Sequence, residues 1–578
     1  LADFQTAAQQ AFRDVEGAGI YFRDTRHLCY AHLTVNGRPL ELLDASTEHN
    51  SIGIAQFANP LLQTDDHHDV FPQTIGVRRL RHIETAVTEQ LEIHNYNTFR
   101  IAIDLELSFA ADFRDIFDVR GFPYEHRGRV LLPERDGKTI TLGYRAPDGV
   151  RASTTITFNR SPDHATTTAG ESYAAEIQAL QTMLPGHDRI VPSPMPGYPP
   201  KITVSFHLEI EPGGRDRIEF RLTPSQESSH AIDASFTETT WLSGMLPSIE
   251  PFTAVTTSHE VVNHLLDRSL RDLRALITPF PGGQAIAAGI PWYVAPFGRD
   301  SLITSLQMML FSPSLTLETL RFLARYQGTT VNDWTEEEPG KIFHEQRFGE
   351  MARRGIIPHT PYYGTVDATP LFIIVFCELM NWTDDHARFD ELLPNVQRAM
   401  DWIDRQIAAD PDGFVRYGRR SRRGLDNQGW KDSDNSLQFP DATPIIPPIA
   451  LVEVQGYVYQ AKQMLAAVLE RFGMASRAAV LRRDAAELRQ RFEARFWNDD
   501  DRYYGQAIDG SGRLVPAVSS NPGHALFSGI VTEDRARQVV ERLRGPDMFS
   551  GWGIRTLSTE MPHYNPMSYH NGSVWPHD

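Results

Sequence analysis

The run Gly429-Trp430-Lys431-Asp432-Ser433-Asp434-Asn435 places two carboxylates and an ammonium beside an indole. An indole offers a sugar ring a flat apolar face, while a carboxyl group can hold hydroxyls or protonate a glycosidic oxygen. Lys, Asp, Ser and Asn are also ordinary turn formers, so this heptapeptide alone reads equally as a solvated turn. Other loops share its mixture of acids and aromatics. Gly289–Ser301 carries Trp292, Phe297, Arg299 and Asp300 directly before an apolar run. Asp300 there reads either as a helix cap or, with the other three, as one wall of a sugar pocket. GKIFHEQRFGEM brings His344, Glu345, Arg347 and Glu350 together. Adjacent His344 and Glu345 rarely converge on one metal ion and no second histidine of suitable spacing follows, so a surface ion-pair patch is the plain reading. In HTPYYGTVDATPLF, Tyr362, Tyr363 and Asp367 precede another apolar run, and the Pro and Gly around them point to an exposed, shaped loop. The segment HYNPMSYHNGSVWPHD gathers His563, Tyr564, Tyr569, His570, Asn571, Trp575 and His577.

These loops need a scaffold, and the chain supplies one of two textures on either side of residue 250. From Gly19 to about Gly244, short alternating segments are separated by Gly, Pro, Asn and Asp, the pattern of an antiparallel β unit. In IAIDLELSF, Ile101, Ile103, Leu105 and Leu107 alternate with Ala102, Asp104, Glu106 and Ser108, the period of a strand with one face buried. TTTAGESYAAEIQALQ, from Thr166 to Gln181, reads as a helical insertion. Beyond Pro251 the apolar period lengthens: Val261, Val262, Leu265, Leu266, Leu270, Leu273 and Leu276 define a helical face. More helical stretches follow, joined by connections far longer than a helix hairpin needs, and long ordered loops in a compact domain are usually functional. The expected organisation is a β-sandwich-like domain over residues 1–250 and a helical barrel or bundle over 251–578.

Composition narrows the partner. With 56 basic and 74 acidic residues the 578-residue chain carries a formal charge of −18, spread without long single-sign runs. That balance argues against nucleic acid or an anionic membrane and suits an uncharged ligand. Cys29 and Cys377 are the two cysteines, so a disulfide framework is excluded and a reducing compartment, the cytoplasm, is favoured. No apolar run reaches the length of a membrane span, and the first residues lack the basic-then-apolar order of a signal peptide. Dinucleotide, Walker, zinc-peptidase and serine-hydrolase signatures are absent, and no ligand cluster suggests a metal or cofactor.

Taken in order, AGIPWYVAPFGRDSLI, GKIFHEQRFGEM, PYYGTVDATPLF, DNQGWKDSDNS and YHNGSVWPHD resemble the bacterial and archaeal amylo-α-1,6-glucosidase type of glycogen-debranching protein. GIYFRDTRHLCYAHLTVNGRPLELL resembles the β-rich domain that precedes the catalytic domain in that group. The resemblance implies an (α/α)6 barrel of the six-hairpin glycosidase kind and an inverting α-glucosidase, with α-1,6 branches as the implied linkage. In that chemistry one carboxylic acid protonates the leaving oxygen while a second carboxylate activates water from the opposite side. In relatives the acid lies between the fifth and sixth helices in a Gly-Trp-Asp-like sequence, which GWKDSDN matches. Asp432 is thereby implied as the general acid. Asp434 is the alternative, because Lys431 adds a residue between Trp and Asp. Such an acid needs a raised pKa, which burial beside Trp430 would supply and a nearby Lys431 would oppose. By the same likeness Arg299 and Asp300 grip hydroxyls of the nonreducing-end sugar, with Trp292 and Phe297 in the same wall. Glu345, Tyr363, Asp367, Trp430 and Lys431 extend the pocket, and His570 with Trp575 form its opposite side.

The chain departs from that pattern at one point. The family's general base comes late, between the last two barrel helices, and no residue up to Asp578 matches it. The expectation is a truncated version of a longer protein, lacking the last helices and the second carboxylate. The competing expectations are a six-hairpin hydrolase of another sugar, of trehalase, mannosylglycerate or rhamnoside type, and a carbohydrate-binding protein that keeps the pocket without the chemistry.

Overall fold

The computed structural model describes residues 17–49, 51–63, 69–84, 86–168, 199–227, 252–280, 282–441 and 443–575. Two compact units emerge from its internal contacts: Leu1–Pro247 with Phe348–Arg354, and Ser248–Arg347 with Gly355–Asp578.

The first unit is antiparallel β. Its larger sheet runs, in spatial order, Arg129–Val130, Thr139–Arg145, Arg151–Phe158, Arg215–Gln226, Val87–Asn95, Ile75–Ile83, Ile52–Ala58 and Glu41–His49, with Glu134–Asp136 also pairing with Thr139–Arg145. The smaller runs His164–Thr168, Lys201–Ile210, Ile101–Ala110, Tyr30–Val35 and Arg38–Pro39. The alternation of IAIDLELSF holds up to Leu107: Ile101, Ile103, Leu105 and Leu107 are buried and Ala102, Asp104 and Glu106 are not. Ser108, expected on the outward face, is instead buried against Thr203, with 2.7 Å between their hydroxyls. Inward residues of both sheets form one apolar core. Phe109 and Phe206 of the smaller sheet interlock with Phe220 and Phe158 of the larger, at ring centroids of 5.6 and 5.3 Å respectively. Of the expected helix over Thr166–Gln181, Thr166, Thr167 and Thr168 instead end a strand paired with Lys201–Thr203, because this threonine run favours the pleat. The remainder lies outside the described residues.

Phe348–Arg354 joins this unit through buried polar groups. Asp115 accepts from the backbone N–H groups of Phe117 and Met351, each at 2.9 Å, and Asp24 accepts from Phe348 N–H at 2.7 Å. The Tyr144 hydroxyl donates to Glu350 at 2.5 Å, and the Tyr124 hydroxyl donates to its other oxygen.

The second unit is helical: α1 (Glu260–Leu276), α2 (Gly298–Met308), α3 (Pro313–Arg325), α4 (Ala368–Thr383), α5 (His386–Ala409), α6 (Val452–Arg471), α7 (Ala475–Arg495), α8 (Asn521–Ser528) and α9 (Glu533–Leu543). Helices α2, α4, α6 and α8 lie side by side in sequence order, and each packs against the helix that follows it. Their sequences show why. Along α4 almost every residue from Ala368 to Met380 is buried, whatever its position on the helix, as an inner element requires. By contrast α9 is largely charged and buries Val539 and Leu543. Helix α1 forms where the apolar period indicated, yet none of its residues is buried and Val261, Val262 and Leu265 are exposed. Among the described residues no helix is long and apolar enough to cross a membrane.

Candidate active site

The beginnings of the inner helices carry the chemistry-bearing side chains. Arg299 and Asp300 lie in the first turn of α2, Asp367 is the N-cap position of α4, Glu453 lies in the first turn of α6, and Asn521 opens α8. Partial positive charge at each of these ends favours a concentration of carboxylates there. The long connections from outer to inner helices supply the rest, and GWKDSDN falls between α5 and α6, the fifth and sixth helices counted from α1.

Arg299 ties three of these pieces together. Its Nη1 donates to Asp367 Oδ2 at 2.9 Å and to the Gly429 carbonyl at 3.1 Å, and its Nη2 donates to Asp432 Oδ2 at 3.3 Å. Asp367 is completed by the Thr365 hydroxyl at 2.6 Å. Gly298 permits this arrangement, since a Cβ there would fall 2.1 Å from the Phe343 carbonyl oxygen. The backbone then forms a short ladder, Phe297 opposite Glu345 and Glu345 opposite Tyr362, with His344 N–H donating to the Tyr362 carbonyl at 2.6 Å.

Asp432 stands in this acidic ring with 27 % of its side chain exposed. Burial pushes its carboxyl up to about 7; Arg299 opposes that shift, while Asp300, Glu345 and Asp367 add to it. Two neighbouring groups, Glu345 and His344, are fixed in charge. Burial works against ionisation of Glu345, yet His359 at 2.6 Å and Arg347 at 2.7 Å hold it well below the usual carboxylate range. Burial holds His344 near 3, so the imidazole 4.0 Å from Asp432 is neutral. Asp300 is pushed up by burial, against the pull of Arg299. The site therefore brings together a proton-carrying acid and an ionised carboxylate, Glu345.

The other face is aromatic. Trp430 packs edge-on to His570 (5.6 Å) and Trp575 (6.0 Å), and Tyr569 meets Trp575 at 4.9 Å. His570 Nδ1 lies 2.8 Å from the Ser433 hydroxyl and 3.4 Å from Ser433 N, so it steadies the residue that follows Asp432. Asn571 donates to the Asn435 carbonyl at 2.9 Å, and His563 contacts the Phe439 carbonyl at 3.0 Å.

Several placements differ from the sequence expectations. Lys431 points inward: its ammonium donates to Asn521 Oδ1 at 2.7 Å and the Thr556 carbonyl at 2.6 Å and covers the Trp430 ring. It is not among the main charges acting on Asp432. The alternative acid, Asp434, is exposed, and its carbonyl rather than its carboxylate is engaged, by Asn427. Asp300 does not cap α2; Phe297 occupies the N-cap position and Asp300 lies inside the first turn. His344, Glu345, Arg347 and Glu350 are not a surface patch but are all buried, because their charges pair with one another or with partners brought by other segments, and Glu350 belongs to the β unit. Tyr362 and Tyr363 are likewise buried rather than exposed. The Tyr362 hydroxyl accepts from Leu425 N–H at 2.8 Å, and that of Tyr363 donates to the Tyr326 carbonyl at 2.6 Å. Trp292 enters through its carbonyl, which accepts from Arg347 at 3.0 Å. His577 lies outside the described residues.

Sequence reasoning missed Glu453, Asn521 and Glu336. Buried Glu453 accepts from Asn521 Nδ2 at 3.0 Å and so completes a chain from α6 through α8 to Lys431. Buried Glu336 accepts from the N–H groups of Arg420 and Ser421 and from Gln428 Nε2 at 2.6 Å, fixing the approach to Gly429. An acid in a first helical turn is a weak signal for Glu453, and nothing local marks the other two. Among the described residues no group of His, Cys, Asp or Glu could hold a metal ion.

A proton-carrying acid near an ionised carboxylate, beside an aromatic wall, is an arrangement suited to acid-assisted cleavage of a glycosidic bond. Comparison with known proteins points to carbohydrate chemistry too. Residues 298–577 match the mannosylglycerate hydrolase MGH1-like glycoside hydrolase domain, and residues 8–184 match the N-terminal domain of (some) glycogen debranching enzymes. The two matches thus fall on successive stretches of one polypeptide. Among solved structures it is similar to a bacterial glucoamylase complexed with acarbose (TM-score 0.55, 11 % identity, covering 96 % of this chain and 80 % of that one). It also matches a chain assigned as a kojibiose phosphorylase from human microbiome (TM-score 0.45, 9 % identity, 84 % and 62 %) and a GH78 family rhamnosidase of Bacillus sp. GL1 (0.41, 13 %, 74 % and 39 %). This chain thus spans less than two thirds of the length of the kojibiose phosphorylase and of the rhamnosidase. No curated protein sequence matches it.

Proposed function

We propose that the helical unit hydrolyses α-glucosides with inversion, that α-1,6 branches of α-glucans are its substrates, and that Asp432 is the general acid. The carboxylate that activates the attacking water is unassigned among the residues of this sequence. In this reading the inner and outer helices belong to an (α/α)6 barrel, and the reaction is cytoplasmic, as two free cysteines suggest. The observation that carries the proposal is the state of Asp432, half-buried and raised to about 7 within reach of Arg299. A carboxyl so tuned holds a proton near neutral pH and gives it up to a glycosidic oxygen. Arg299, Asp300 and Asp367 hold the hydroxyls of the sugar that is released, while Trp430, His570 and Trp575 form the opposite wall. Glu345 stays ionised and steadies positive charge at the anomeric carbon.

The match to a mannosylglycerate hydrolase-like domain favours a second reading, in which the leaving group is an anionic glycerate. The site weighs against it: Arg299 and Arg347 already pair with carboxylates, and the ionised Glu345 would repel an anion.

Isomaltose, panose, pullulan-derived branched oligosaccharides, trehalose and mannosylglycerate, offered separately with the released anomer followed by proton NMR, distinguish the two. Release of β-glucose from an α-1,6 linkage is expected. Asp432→Asn is expected to abolish turnover while sugar binding persists; retained hydrolysis would pass the acid role to Asp434 or to another scheme.

A further inference from the structure

Trp552 is 96 % exposed, an unusual state for a residue that is mostly buried in folded proteins. It is held at the tip of a defined turn. Ser550 N–H donates to the Gly553 carbonyl at 2.9 Å, and the Ser550 hydroxyl oxygen accepts from the N–H groups of Trp552 and Gly553 at 3.2 and 3.1 Å. Gly551, with φ of +92°, takes the first central position, where this hairpin turn demands a glycine. The flanks pair, Phe549 opposite Ile554, and Phe549 is itself 46 % exposed. Folding gains nothing from presenting an indole this way, whereas a rigid indole in water is a ready platform for a ligand with flat apolar faces.

A continuous line of contacts joins this tip to the acid. A Cβ on Gly553 would lie 2.6 Å from the Val574 side chain, so the turn rests on Val574, and Arg555 on the return arm pairs with Val574 in a bridge. The next residue, Trp575, packs on Trp430 at 6.0 Å and on Tyr569 at 4.9 Å. Tyr569, half-exposed, feels the charges of Asp432 and Asp300. One residue further along that return arm, the Thr556 carbonyl holds the Lys431 ammonium at 2.6 Å, one residue before Asp432. The turn that carries Trp552 is thus anchored, through Val574 and Trp575, to the aromatic wall beside the acid loop, and Tyr569, Val574 and Trp552 are each at least partly exposed.

We propose that Trp552 is the outer platform of an extended carbohydrate-binding track, stacking on hexopyranosyl units of the α-glucan chain that lie beyond the bond cleaved by Asp432. The proposal rests on the α-glucosidase reading. Arg299, Asp367 and the buried acids close the inner end of the site, so the part of the substrate that leaves must run outward. A track of this kind sets a preference for long chains over short ones without touching the reacting atoms.

The test uses the full chain in the Asp432→Asn background, with calorimetric binding of maltose and of maltoheptaose. Maltoheptaose should bind more tightly than maltose in the parent. Trp552→Ala should weaken maltoheptaose about tenfold, the equivalent of roughly 1.4 kcal/mol, and change maltose less than about twofold. Trp552→Phe should recover most of the loss, and unaltered circular dichroism would exclude misfolding, which an exposed residue is not expected to cause. Equal weakening of both ligands, or no weakening of either, overturns the platform. Turnover of α-1,6 glucosides by the unmodified protein judges the reaction separately. If hydrolysis is found and the chain-length effect is not, the platform alone falls; if the parent binds neither sugar, both fall.

Discussion

Arg299 Nη2 and Asp432 Oδ2 lie 3.3 Å apart, yet the carboxyl is raised to about 7 rather than lowered. The reason is that the guanidinium is shared. Its Nη1 is committed to Asp367 and to the Gly429 carbonyl, while burial and three further carboxylates act on Asp432 in the opposite sense. Arg299 therefore aims the acid without disabling it. The consequence for rate is direct: the alkaline limb of kcat/KM should fall with an apparent pKa near 7, because the proton to be donated is lost there. Arg299→Gln, by removing the opposing cation, should move that limb upward while reducing the rate itself. A limb unmoved by this change, measured across pH 5–9, would dissociate it from Asp432.

The same carboxyl affects stability with a sign that follows from linkage. Unfolded, Asp432 titrates near 3.8; folded, near 7. Between those values the folded chain keeps a proton that the unfolded chain has released, so stability declines as pH rises through the window and the penalty is complete above it. Three pH units correspond to an upper bound of roughly 4 kcal/mol. Asp432→Asn should thus raise the melting temperature at pH 8 and leave it nearly unchanged at pH 4, as measured by scanning calorimetry.

Lys431→Met should act on stability and not on the titration of Asp432. It leaves the Thr556 carbonyl and Asn521 Oδ1 without a buried ammonium, a loss of about 1.5–3 kcal/mol for hydrogen bonds to a charged group. Chemical denaturation should show that loss, and turnover should fall as the acid loop loosens. The alkaline limb of the rate profile should stay in place.

Glu350 supplies a test within the β unit. Burial raises its carboxyl to about 7 against Arg353 and Arg354, with Asp115 and Asp118 adding to the shift. Since its unfolded value is near 4.5, the native state loses stability from Glu350 as pH rises from about 4.5 to 7. Glu350→Gln should flatten that slope in urea titrations. At pH 5, where the buried carboxyl is itself neutral and the Tyr124 and Tyr144 hydroxyls already face an uncharged acceptor, the change should cost little.

What could be read from the sequence was whatever repeats or sits in a run. Ile101, Ile103, Leu105 and Leu107 declare a strand by period alone, and the order of helices around GWKDSDN followed from apolar spacing. Direction within a loop has no period. Nothing in Trp430-Lys431-Asp432 tells that Lys431 turns to Asn521, a neighbour 90 residues away, while Asp432 turns to Arg299, 133 residues away. Burial of charge is equally silent in composition: Glu345 and Arg347 look solvated until His359 is brought beside them. The apolar stripe of α1 was the reverse case, a correct helix whose face the described residues do not cover.

The membership of Phe348–Arg354 in the β unit bears on how such a protein can be taken apart. These residues lie between Arg347 and Gly355 of the helical unit, so the polypeptide is threaded rather than strung like beads. A fragment ending at Pro247 would contain Asp115, Tyr124 and Tyr144 but none of the groups from Phe348–Arg354 that they bind. Recombination or domain-swapping experiments that cut once near residue 250 would therefore divide one folded body, and a portable β module has to carry a grafted copy of that heptapeptide.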